Sequence, residues 1–226
     1  MKSSVVGFDL DEANNFRELP PEPGSLPTAM MLNPVEFTIP ANGSQTVRFA
    51  ISRQRLNGPG EHRAMLFFSE LVDTDQAGVK LNFRLGLPLY ATVGEPRSLA
   101  VVNGIRFDAD GNRLELDLSA TGNTQVKPSG FYLWWPLAEY PKESQALKEV
   151  ATLAANPTRT LPKHTAGGRL VTKPVFAGTR RSVAASLAPP PDDGEYMLIV
   201  HFEAGGQTVQ RTIEHVPARM LVVDNK

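Results

Sequence analysis

Cysteine is absent from the 226 residues, which removes thiol catalysis, disulfide cross-links and thiolate metal sites together. No charge sign dominates either. The 23 basic side chains stand against 24 acidic ones, so there is no electrostatic basis for a nucleic-acid partner or for binding an anionic membrane surface. No apolar run approaches the ~20 residues of a transmembrane helix, and no membrane insertion is expected. Near Met1, the run Val5-Val6-Gly7-Phe8 meets Asp9 at once, leaving no apolar core of ~7–15 residues for a secretory signal.

Catalytic signatures are also scarce. His62, His164, His201 and His215 sit in separate segments without His-x-x-x-His or Glu-x-x-His spacing, so no metal site is expected. No Gly-x-Ser-x-Gly, P-loop or dinucleotide fingerprint occurs. The reading is a non-enzymatic protein with no cofactor.

What the chain does have is 41% apolar residues with 18 Gly and 19 Pro, enough for packed cores joined by many turns. Most segments alternate at period two, as in Gln45-Thr46-Val47-Arg48-Phe49-Ala50-Ile51, Leu114-Glu115-Leu116-Asp117-Leu118 and the long run Val79 to Leu89, the pattern of half-buried strands. Turn clusters separate them, and Asp110-Gly111 between apolar runs signals a hairpin. One stretch differs. Lys142 to Asn156 follows Pro141, lacks Gly and spaces Leu147, Val150, Ala151 and Ala154 helically, which predicts a short surface helix inside an insertion at 136–168.

A weak repeat points to two domains. Gly60-Glu61-His62-Arg63-Ala64-Met65-Leu66-Phe67-Phe68 parallels Gly194-Glu195-Tyr196-Met197-Leu198-Ile199-Val200-His201-Phe202, and Ala41 to Val47 parallels Ala177 to Val183. The Gly-to-Gly intervals are nearly equal, 17 residues (43 to 60) and 16 (178 to 194). A boundary near Gly94-Glu95-Pro96 follows, giving domains 1–95 and 96–226. The second half offers seven candidate strands and the first about five, against the ~7 of an immunoglobulin-like sandwich. The expected fold is therefore all-β: two tandem immunoglobulin-like β-sandwich domains, the first incomplete at its N-terminus, the second carrying a short helix in its insertion. Of Trp134 and Trp135, one is expected in the second core and the other exposed or under the insertion, since strand neighbours face opposite ways. The outward one hints at a second contact surface.

Several motifs add a resemblance. Asn33-Pro34-Val35-Glu36-Phe37-Thr38-Ile39-Pro40-Ala41-Asn42-Gly43-Ser44-Gln45-Thr46-Val47-Arg48, then Gly60-Glu61-His62-Arg63-Ala64-Met65-Leu66-Phe67-Phe68, and later Thr121 to Gly130 and Asp193-Gly194-Glu195-Tyr196 resemble, in order and spacing, the periplasmic pilus (fimbrial) assembly chaperones of the chaperone–usher type. The resemblance implies two angled immunoglobulin-like domains in the periplasm. It also implies binding of pilus subunits by donor-strand complementation and transfer to an outer-membrane usher. The signal and first two strands would then precede Met1. Strand addition of this kind supplies main-chain hydrogen bonds and alternating side chains.

The lent strand maps onto Val79 to Leu89, with Val79, Leu81, Phe83, Leu85 and Leu87 as its apolar contacts. The family's late basic anchor for the subunit carboxylate falls on Pro88, which leaves Arg84 as the candidate anchor, with Lys80 nearby. Glu61 and Asp193 are candidates for an interdomain charge cluster. Plain core packing of the same strand stays open, as does the alternative of a surface binding or adhesion module that lends no strand. An exposed lent strand beside missing strands favours a homodimer through strand pairing.

Overall fold

The computed structural model describes residues 1–71, 82–158, 160–161 and 165–215. The chain is all-β and divides into two compact units, Met1–Pro96 and Arg97–Lys226.

In the first unit, β1 (Lys2–Leu10), β2 (Phe16–Leu19), β5 (Gly60–Ser69) and β6 (Arg84–Val93) form an antiparallel sheet in the order β2-β1-β5-β6, while β3 (Met30–Asn33) and β4 (Arg48–Ile51) form a two-stranded one. A single helical turn, α1 (Leu26–Ala29), has Pro at its start, where the missing N–H is harmless. Leu26, Ala29, Met30, Leu56, Ala64 and Val93 make the core. Neither β2 nor α1 is expected from the sequence, because each is one short run of four residues with too few repeats to show a period.

In the second unit, β7 (Ala100–Asp108), β8 (Arg113–Ala120) and β11 (Arg180–Ser186) form one antiparallel sheet. The other contains β9 (Ser129–Pro136), β10 (Ala166–Val171), β12 (Tyr196–Ala204) and β13 (Gln207–His215), in the order β10-β9-β12-β13. Four strands against three are the count of an immunoglobulin-like sandwich. The predicted hairpin joins β7 to β8, with Asp108 paired to Arg113 and Asn112 in the left-handed region at φ 45°. Leu114, Leu116 and Leu118 of β8 meet Trp134, Leu198, Val200 and Phe202 in the core.

The insertion helix is present as α2 (Glu143–Ala155). It lies on the outer face of the four-stranded sheet through Ala146, Val150 and Leu153, which pack on Phe131, Leu133, Trp135 and Ile199. Trp134 is fully buried and donates its Nε1–H to the Ala188 carbonyl at 2.9 Å. Trp135 lies beneath the insertion and donates to the Glu139 carbonyl at 3.0 Å. The expected outward Trp is thus covered, and the idea that it marks a contact surface falls, because α2 already occupies that face. At the start of β12, the Tyr196 hydroxyl hydrogen-bonds Asp192 Oδ1 at 3.0 Å, and burial, then that bond, hold the phenol above its ordinary pKa of 10.0.

Candidate functional site

Of the expected lent strand Val79 to Leu89, residues 82–89 are described, and Arg84 to Leu89 form the first part of β6. Val79 and Leu81 lie outside the described residues. β6 pairs antiparallel with β5 from Ser69↔Arg84 to Gly60↔Val93. Alternation places Leu85, Leu87, Leu89, Ala91 and Val93 on the face that holds the core. Cover along that face falls away steeply: Val93 is 4% exposed, whereas Leu87, Leu85 and Phe83 are 48, 68 and 66% exposed. Phe83, Leu85 and Leu87 therefore stand together as an apolar row on an edge strand, since β6 has no partner but β5 among the described residues. Burying what remains exposed of each would contribute about 1–2 kcal/mol.

The backbone of β6 shows which groups a partner could reach. The Glu70 amide donates to the Phe83 carbonyl at 3.0 Å, so Phe83 turns its main-chain groups toward β5. In an antiparallel ladder this alternates, and Leu85 and Leu87 do likewise. Arg84, Gly86 and Pro88 turn theirs outward. Pro88 has no N–H, which is tolerated at an edge. The free edge thus offers donors at Arg84 and Gly86, then a carbonyl alone at Pro88.

Arg84 points to the opposite face from Leu85. Its Nη1 donates to Glu18 Oε1 at 2.6 Å, and its guanidinium sits 3.5 Å from the centre of the Phe67 ring. Phe67 belongs to an aromatic group with Phe8, Phe16 and Tyr90. Gly86 makes room for it, because a Cβ there would meet the Phe67 ring at 2.8 Å. To take a subunit carboxylate, Arg84 would have to leave Glu18, a half-exposed pairing of about 1 kcal/mol at most.

Glu61 lies on β5 opposite Thr92. Together with burial, the larger cause, its carboxylate raises the Tyr90 pKa above 10.0, partly offset by Arg63. Asp193 lies exposed in the turn before β12, in the other unit. Among the described residues no group of three or more His, Asp or Glu side chains is arranged to hold a metal ion, and no helix is long and apolar enough to cross a membrane.

A second strand, β4, is uncovered as well. On β4, Phe49 and Ile51 share the face of Leu32 and Met30 through their pairing, yet are 49 and 38% exposed. Both sheets of the first unit therefore leave part of their inner apolar face open. Alternation in the sequence gives the shared face, and only the sheet order gives the missing cover.

No protein-family model matches the chain, and no curated protein matches it.

Proposed function

We propose that this chain is a non-enzymatic periplasmic chaperone for pilus or fimbrial subunits, capping each by lending β6 before transfer to an outer-membrane usher. The observation that carries the reading is the exposed row Phe83, Leu85 and Leu87 on a strand whose outer edge has no partner among the described residues. A soluble molecule gains nothing from such a row unless another strand covers it. The partner supplied by this reading is a subunit with an open apolar groove and unpaired backbone groups. The compartment, the subunit and the usher rest on the resemblance of the motifs.

The test is co-expression with fimbrial subunits and isolation of a soluble one-to-one complex. Phe83→Asp and Leu85→Asp should each abolish the complex and leave the far-UV spectrum and unfolding midpoint unchanged, because both side chains are already exposed. Complex formation that survives both changes rules out lending by β6 and favours an adhesion module that lends no strand.

A further inference from the structure

The second unit carries a cleft with no part in strand lending. It lies between the end of α2 and the outer face of β10, β9 and β12, and has two adjoining chambers of about 220 and 290 Å³ that share Phe131, Pro157 and Arg169. These volumes are at or below the low end of ordinary ligand pockets, ~300–1,000 Å³, so a small molecule is the fitting size. One chamber is polar, with Ser129, His201 and Glu203; the other is apolar, with Leu153 and Leu161.

His201 is the unusual member. It is 8% exposed, and its Nδ1 faces Gln210 Nε2 at 3.1 Å. That amide nitrogen also donates to the Leu147 carbonyl of α2 at 3.3 Å, so it is the donor toward Nδ1, and the ring proton resides on Nε2. Nε2–H has no protein partner among the described residues. That edge of the ring is not sealed from solvent, and it borders the polar chamber, where a ligand acceptor can reach it.

The charges around it are matched. Pairing places Arg169, Phe131 and His201 in one row across the sheet, with Glu203 two residues beyond His201 on the same face. Arg169 lies 5.7 Å from the Phe131 ring centre. Neither Arg169 nor Glu203 forms an ion pair with a described residue. An anion alone would face Glu203, and a cation alone would face Arg169. A zwitterion satisfies both. We infer that this cleft binds a free aliphatic α-amino acid: carboxylate on Arg169 and the His201 Nε2–H, ammonium on Glu203, side chain against Phe131, Leu153 and Leu161.

The experiment titrates the full chain with L-leucine, N-acetyl-leucine and leucinamide, following the imidazole and Gly130 amide signals by NMR and the heat by calorimetry. Leucine should shift the His201 Nε2–H and Gly130 signals saturably. Each blocked analogue, lacking one charge, should bind about tenfold more weakly, as should leucine to Arg169→Gln and to Glu203→Gln. Leucine without a saturable shift, or a blocked analogue that binds as tightly as leucine, overturns the proposal. The analogue series uses the unaltered protein, so it decides the matter even if a variant unfolds.

Discussion

The two units repeat one sheet and differ in the other. Strand order β2-β1-β5-β6 in the first matches β10-β9-β12-β13 in the second, and the repeat seen in the sequence places β5 on β12 and β4 on β11. Beside β11 lies β8, whose three leucines are fully buried, and Val183 and Ala185 of β11 are buried with them. Beside β4 lies only β3 among the described residues, and Phe49 and Ile51 remain half-exposed. Two strands with the same alternation thus end in opposite environments. Alternation selects which side chains share a face, and the neighbouring strand decides whether that face is dry.

The largest effect should separate β8 from β6. Leu116→Ala should destabilise the second unit by about 2–5 kcal/mol, since it empties a fully buried site, while Leu85→Ala should stay within about 0.5 kcal/mol. Denaturant unfolding of both variants measures this, and a comparable loss at Leu85 would mean that β6 is covered in solution. A middling effect should come from Tyr196, whose place in the repeat is taken by His62 in the first unit. Tyr196→Phe should cost about 0.5–1.5 kcal/mol through the lost bond to Asp192. Among the described residues His62 reaches only the Gly58 carbonyl, at 3.4 Å, so His62→Ala should unfold at the wild-type midpoint; an equal loss at both positions would erase the distinction.

The smallest effect concerns acid. On β8, the hydrogen bond from Arg180 holds Asp117 below its ordinary pKa of 3.8, opposed by slight desolvation and helped by Asn103. A lowered folded-state value means the contribution is present above pH 3.8 and disappears as pH falls through the folded-state value. A carboxyl NMR titration should place Asp117 below 3.8, and Asp117→Asn should remove that share of acid sensitivity. Titration at or above 3.8 would show that the pairing is not kept in solution.

Much of the second unit is legible in its sequence. Six of its seven strands, the hairpin and the helix follow from period and turn chemistry, because each is long enough to repeat its pattern; β10 (Ala166–Val171) lies ahead of the strand expected near 169–176 and begins inside the expected insertion. The helix buries Ala146 and Leu153 beside Val150, so the expected apolar stripe of Leu147, Val150, Ala151 and Ala154 is rotated by about one position. In the first unit the short pieces β2 and α1 were too brief to read, and the openness of β4 depends on a neighbour. The His201 cleft was invisible for another reason. Its members come from three strands and a helix end, and only the register Arg169–Phe131–His201 brings them side by side.

Pro88 has a consequence for the molecule in bulk. A flat apolar edge with an unbroken set of main-chain donors is the template on which strands stack without limit. Here that set is broken midway along β6, so successive copies cannot zip along its whole length. The strand that carries the exposed row also carries the interruption that discourages fibrils of the protein itself.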